Sequence, residues 1–391
     1  VTVYCSDAHD KSLAISASFL VACDGGRSTI RSLLGIEMHG ESNPQPWLVI
    51  DTIDPTLDGE MDCRFFCDPQ RPGMTIRKQH QERRWEWMLM PGEEREDLLQ
   101  DDAIGRLIAP YTDVEKVNIY RKRVYDFHAI IAERWREGRV FLAGDAAHMT
   151  PPFAGQGLNS GFRDVSNLSW KLAAVVKGLA DEAILDTYES ERRDHAWQLI
   201  EMALQLGQQI QPIDVAQAAE RDRFFAEVNK DPAAVQALQD EMFKSVLART
   251  IEQGLVIDAG PGGTAGDMLI QPQLLTAAGE KILLDEKLGG GYAIVGYNCL
   301  PAEVLGEPGL EEWAGFAPGL VAIGDRENCT GAPWLQDDSG EFSRWLGGDE
   351  PRVLLIRPDR ICMVCATPGE AAQQLTAARR VLSGGGGAVS S

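Results

Sequence analysis

The chain has 391 residues, 59 acidic against 37 basic side chains, and a formal charge of -22 with a pI near 4.7. That charge repels phosphate backbones and anionic lipid surfaces, which argues against nucleic acid as a partner. The length exceeds what one hydrophobic core fills, so two or three domains are expected, and no apolar run approaches the ~20 residues needed to span a bilayer.

In chain order, residues 1–44 open on two strand-like runs, VTVYCSD and SASFLVACDGG, followed by a short helix in STIRSLLG that ends at Gly35. A chain that starts at Val1, already in a strand, reads as a fragment of a longer protein. Residues 45–130 are strand-like, rich in Trp, Phe, Tyr and Arg and broken by Pro and Gly. They predict a mainly antiparallel sheet with one helical insertion near 97–109. Residues 131–212 return to strand, loop and helix order. RVFLAGD is a buried strand, and a helix follows from about Gln156 to Lys177, whose Leu158, Phe162, Val165, Leu168, Leu172 and Val175 form one apolar face. A second helical stretch reaches Pro212. Residues 213–267 continue helical and end in the Gly- and Pro-rich linker IDAGPGGTAGD at 257–267. Residues 268–383 offer GYAIVGYN, GLVAIGD and RVLLIRPDRICMVC as strands and EAAQQLTAARRVL as a closing helix, which together suit a small α/β domain; 384–391 is a flexible tail.

The eight cysteines are scattered and nothing resembles a secretory signal, which places the chain in the reducing cytoplasm with free thiols. Cys362 and Cys365 form C-x-x-C, but on a strand, where residues three apart point to opposite faces; buried structural thiols are expected there. Cys63 and Cys67 lack a second ligand pair, so no metal site is expected.

The most informative segment is GRVFLAGDAAHMTPPFAGQGLNSG at 138–161. It sets Asp145 just past the end of a buried strand, where an acceptor-only carboxylate suits sugar-like hydroxyls. Pro151 and Pro152 stiffen the loop, while Gly155 and Gly157 let backbone approach a flat ligand. A helix then begins, with unpaired N–H groups at about Gln156 to Asn159 that favour an anionic group such as the N1–C2=O edge of a reduced flavin. His148 beside the loop reads as a packing residue. A second motif, VACDGGRSTIR at 21–31, places Asp24 between a strand and a helix, near ribose or near a pyrophosphate, with Arg27 and Arg31 available to offset phosphate charge. Neither G-x-S-x-G nor a P-loop is present, which removes the common hydrolase readings.

Both segments resemble motifs of the class A FAD-dependent aromatic hydroxylases, and more closely the branch acting on 3-(3-hydroxyphenyl)propionate and related phenols. The resemblance implies that Asp145 binds the ribityl chain of FAD, that Pro151 lies against the isoalloxazine, and that Gly157, Leu158 and Asn159 meet its pyrimidine edge, along a turn running from Gly144 through Gly155 and Gln156. It implies an α/β (α+β) architecture: an incomplete Rossmann-like FAD-binding domain from 1–44 and 131–212, a substrate sheet at 45–130, the helical segment 213–267, and a thioredoxin-like domain at 268–383. The W-L-G at Trp345 and R-P-D at 357–359 resemble that extension, read as a packing or homodimer-forming module without chemistry. The family's N-terminal G-x-G-x-x-G has no counterpart; LGGGYAIVG at 288–296 precedes a strand instead of following one.

In such an enzyme NAD(P)H reduces FAD, the flavin carries O2 as a C4a-hydroperoxide, and a phenolic ring is hydroxylated ortho to its hydroxyl. Substrate contacts are expected from the aromatic sheet and the loop: His80, Trp87, Tyr125 and Pro152, with Trp85 and His128 as further candidates; no catalytic base is assigned. Two rival readings stand beside this one. The first is a flavin reductase or dehydrogenase that makes no hydroperoxide. The second is a non-catalytic fragment used for protein contacts, which leaves Asp145 and its glycines unexplained.

Overall fold

A computed structural model describes residues 1–42, 45–55, 62–247, 250–257, 264–324 and 334–384. Most of the expected linker at 257–267 and nearly all of the tail at 384–391 lie outside the described residues. Among the described residues no helix is long and apolar enough to cross a membrane. The chain divides into two compact units, one of residues 21–161 and 196–246, the other of 1–20, 162–195 and 247–391.

The first unit is built on a five-stranded antiparallel sheet in the order Cys63–Phe66, Gly73–Arg77, Glu82–Met88, Trp47–Ile53 and Asn118–Tyr125. Strict alternation in R-R-W-E-W-M sorts its two faces. Trp85 and Trp87 join Leu48, Ile50 and the buried side of the helix Asp101–Ile108 in one core. Met88 and Trp47 point the other way, into a cluster with Phe127, Phe153 and Ile210. Two three-stranded sheets complete the unit. One sets Met38–Ser42 and His148–Met149 on either side of His128–Ala132, and the other sets Val140–Leu142 between Arg136–Glu137 and Leu20–Ala22.

Asp51, on the face shared with Trp47, is the anchor of a cation cluster: Arg84 reaches it twice, at 2.8 and 3.0 Å, Lys78 at 2.8 Å and Arg121 at 3.3 Å. Burial works against its charge, but Arg84 and Lys78 hold the carboxyl down to about 2. A depressed folded-state value stabilises the fold fully above the ordinary 3.8 and is lost as pH falls towards 2. Thermal melts of Asp51→Asn against pH are therefore expected to lie below those of the parent at neutral pH and to converge on them between pH 4 and 2.

The second unit carries a seven-stranded sheet ordered Lys281–Leu283, Gln273–Leu275, Trp334–Gln336, Gly319–Gly324, Ala293–Tyr297, Arg352–Ile356 and Cys362–Ala366. Ala293–Tyr297, Gly319–Gly324 and Trp334–Gln336 run parallel, and Arg352–Ile356 returns antiparallel against Ala293–Tyr297. The helix Pro301–Glu311 links the first parallel pair, and Ala371–Leu382 closes the final hairpin. This βαβ then ββα order makes the small α/β domain that the sequence pattern predicts. Gly289 to Gly291 do precede the strand Ala293–Tyr297, so they form no strand-to-helix phosphate turn.

Two expectations need correction. A bulge between Leu355 and Ile356 pairs Cys362 with Ile356 and Cys365 with Leu354, and all four share one core, so the two thiols do not lie on opposite faces. Both are free and buried, and burial pushes the Cys362 thiol well up, which keeps it inert. The helix Gly157–Val176 has the predicted length, yet its apolar stripe is covered only towards the C-terminal end: Leu168 is buried, whereas Leu158, Phe162 and Val165 are 74%, 65% and 48% exposed. Periodicity marks which residues share a helix face, not how much of that face a neighbour reaches.

Candidate active site

The two sequence motifs meet in the first unit. The strands Leu20–Ala22 and Val140–Leu142 are neighbours, and Ala143 donates its N–H to the Ala22 carbonyl at 3.0 Å. Chain therefore leaves both strands at the same edge, with Asp24 and Asp145 following close behind. Asp145 sits exposed in a single 3-10 turn, Gly144–Ala146. Gly144 has φ +59°, a left-handed conformation that glycine adopts without strain.

Beyond it, Pro151 is buried, Pro152–Ala154 make another 3-10 turn, and Gly155 closes it at φ +63°, ψ +21°. A side chain built at Gly155 would meet nothing within 4 Å, and one at Gly157 would only graze the Thr150 carbonyl at 4.0 Å. Asn159 holds the turn by donating to the Gly155 carbonyl at 3.3 Å, and Gln156 donates to that of Ala154 at 3.2 Å. The first N–H groups of the helix Gly157–Val176, at Gly157, Leu158 and Asn159, have no partner within the helix. Gly155, Leu158 and Asn159 are exposed. An open glycine turn, a carboxylate at its start and free helix N–H groups at its end fit a planar, partly anionic ring with a polyol tail, which is the donor and acceptor pattern of FAD.

Asp24 is placed differently from Asp145. It accepts hydrogen bonds from the Ser28 hydroxyl and from the Ile30 N–H at 3.1 Å, so it braces the start of the helix Thr29–Leu33. Slight burial works against its charge, but these bonds hold its carboxyl below the usual range. Arg31 is not free to offset phosphate: it is buried and donates to the carbonyls of Ala146 at 2.9 Å and Gly26 at 2.8 Å, tying one motif to the other. Arg31→Met, which keeps bulk and removes the donors, is expected to cost about 2–4 kcal/mol of stability and to weaken FAD retention. Differential scanning calorimetry and bound-flavin absorbance check both parts.

The substrate candidates are not brought together. His80 is exposed in the turn before Glu82–Met88, at φ +57°. Trp87 is sealed against Phe66 and Tyr111, with ring centroids 5.1 and 5.7 Å away, on the sheet face opposite Tyr125; alternation does place Trp85 and Trp87 on one face, but that face is core. Tyr125 is in register with Trp47, on the face that meets Phe153 of the loop. His128 accepts or donates through Nδ1 to Ser42, and His148 stacks on Trp135. Glu86, which the sequence reading passed over, is a buried carboxylate on the same face as Tyr125. The signal available was a Glu alternating with two tryptophans, hence on the same face as Met88.

The family described as FAD binding domain matches residues 1–203, and the HcaD C-terminal domain matches 266–381. The chain is 36% identical over 372 residues to the 3-(3-hydroxy-phenyl)propionate/3-hydroxycinnamic acid hydroxylase of Burkholderia cenocepacia, covering 92% of this chain and 68% of that protein. Its counterpart in Klebsiella pneumoniae is 37% identical, covering 93% and 67%. Among solved structures, aklavinone-11 hydroxylase in complex with FAD and aklavinone superposes with a TM-score of 0.74 at 25% identity, covering 97% of this chain and 70% of the other. The anhydrotetracycline hydroxylase OxyS of Streptomyces rimosus shares the fold, with a TM-score of 0.72 at 24% identity, over 99% and 73% of the two chains. The open turn from Gly144 to Asn159 and these likenesses agree: the chain belongs to the FAD-dependent aromatic hydroxylases, the flavin monooxygenases.

Proposed function

We propose that the protein hydroxylates a phenolic acid of the 3-(3-hydroxyphenyl)propionate type, with NAD(P)H as reductant and O2 as oxidant. The observation that carries this reading is the unfilled left-handed turn at Gly155, directly before exposed helix N–H groups and on the side of the sheet that presents Tyr125. Bound FAD would supply the hydride-accepting and oxygen-activating chemistry. Asp145 would hold the ribityl hydroxyls, Pro151 would lie against the ring, and the N–H groups of Gly157, Leu158 and Asn159 would favour the electron-rich, reduced form. Trp47, Phe127 and Phe153 form a dry aromatic wall, and exclusion of water protects reactive oxygen species from decay. Free thiols throughout the described residues suit a reducing cytoplasm.

The test is NAD(P)H oxidation by the flavin-loaded protein with and without 3-(3-hydroxyphenyl)propionate under oxygen-18 gas. Stimulated oxidation with label in the ring is expected. Oxidation without label would instead assign a reductase.

A further inference from the structure

Glu86 lies in the middle of the five-stranded sheet, 4% exposed, with Oε2 buried and lacking any hydrogen-bond partner among the described residues. Its nearest cation, Arg84, stands 3.9 Å away and is already engaged by Asp51 through two bonds. Lys78 and Arg121 also turn to Asp51, so the cluster of cations on this face satisfies one carboxylate and leaves the other with only the long 3.9 Å ion pair from Arg84. Leaving a buried carboxylate oxygen unpaired is costly, and such a group calls for a catalytic role, a ligand or an ordered water that completes it.

The position of Glu86 says which ligand. It is in register with Val49, which is flanked by Arg123; one residue pair farther along the same face, Met88, Trp47 and Tyr125 form a row. That row packs on Phe153, two residues after Pro151, with Trp47 and Phe153 ring centroids 5.5 Å apart. A residue pair spans about 7 Å of strand. Glu86 thus stands one residue pair along its strand from the aromatic row that packs on Phe153, on the face that row shares.

We propose that Glu86 Oε2 is the acid–base partner of the substrate's ring hydroxyl, accepting its hydrogen bond and then its proton. The inference rests on the phenol-hydroxylase reading above. The phenol O–H bond breaks, its electron pair stays on the phenol oxygen, and the proton forms a new O–H bond on Glu86. The ring gains electron density ortho to the oxygen. Once oxygen has been delivered there, the ring carbon loses its own hydrogen to water as aromaticity returns, and Glu86 gives its proton back to the original oxygen. Burial, opposed in part by Arg84 and reinforced by Asp51, pushes the Glu86 carboxyl up to about 7, so both protonation states are within reach at neutral pH. The charged and titratable groups around it are Arg84 on its own strand, Asp51 on the next, Lys78 beyond Gly73–Arg77, Cys63 on the edge strand, and Arg123 across Val49.

The experiment uses the full, flavin-loaded protein and 3-(3-hydroxyphenyl)propionate, reading phenol ionisation by ultraviolet difference absorption across pH 5.5–9. The parent is expected to bind the phenol and ionise it with a midpoint well below that of the free phenol. Glu86→Gln is expected to bind it about 10-fold or more weakly and to leave it neutral over the same range, with Glu86→Asp restoring part of the ionisation. Equal affinity and an equal ionisation profile in Glu86→Gln would overturn the proposal while leaving the hydroxylase reading intact. A parent protein that retains FAD and binds no phenol would overturn both. If the variants fail to fold, carbon-13 NMR of the glutamate carboxyls in the parent decides: a near-neutral titration abolished by the phenol supports the assignment, and one unchanged by it refutes the assignment.

Discussion

Asp145→Ala in the full flavin-loaded protein is expected to lower FAD affinity by about 10²-fold or more, enough to lose the yellow cofactor on gel filtration. The carboxylate sits exposed after the strand Val140–Leu142, in a turn fixed by the left-handed Gly144. It has no structural duty comparable to that of Asp24, which accepts from Ser28 and Ile30. Hydrogen bonds from two ribityl hydroxyls to a charged acceptor contribute about 1.5–3 kcal/mol each, and 1.4 kcal/mol is a factor of ten in affinity. Because an exposed turn residue adds little to the fold, the melting temperature of the flavin-free protein should hardly move. Absorbance of bound flavin and a thermal melt separate the two effects; stoichiometric flavin in the variant would remove Asp145 from the site.

The second large effect lies in the other unit. Glu191 is fully buried and receives Arg357 at 2.7 and 2.9 Å, Lys171 at 2.7 Å, Asn167 at 2.6 Å and the Leu255 N–H at 2.7 Å. Arg357 is shared with Asp359, at 2.6 and 3.0 Å, and lies over the Trp170 ring. Glu191→Gln would leave two buried cations facing one carboxylate, and breaking a buried pair in this way costs about 3–5 kcal/mol. The corresponding fall in melting temperature is on the order of 10 °C. Adding Lys171→Met to that variant should recover part of the loss, since an apolar side chain needs no counter-ion. Burial tends to raise Glu191, but Arg357 and Lys171 outweigh it and hold the carboxyl far below its ordinary 4.5. Its stabilisation is accordingly complete above that value and is lost as pH falls. Lys171 is pushed down to about 8 by burial despite Glu191, so the folded form gains stability as pH rises from about 8 towards the ordinary 10.5.

How much of this was legible in advance follows from the range of each interaction. The turn from Gly144 to Asn159 was readable because its parts are sequential: a strand end, a proline pair, two glycines and a helix start each impose local backbone geometry. Alternation in R-R-W-E-W-M put Trp85 and Trp87 on one face, and the order of strands and helices after residue 268 gave a small α/β domain. Local pattern said nothing about which face of the sheet is core. Trp87, expected as a substrate contact, is sealed beneath Phe66 and Tyr111, and Glu86 between the two tryptophans lies on the face that meets Phe153.

Sequence by itself determined the glycine turn from Gly144 to Asn159, the helix that follows it and the alternating faces, since these depend on neighbours within a few residues. Tertiary structure alone decided the rest. Arg31 binds a carbonyl 115 residues away, Arg357 binds a carboxylate 166 residues away, and one bulge turns Cys362 and Cys365 into the same core. Hydrogen bonds and ion pairs are set by distance in space, and partners so far apart along the chain leave no periodicity for a sequence to display.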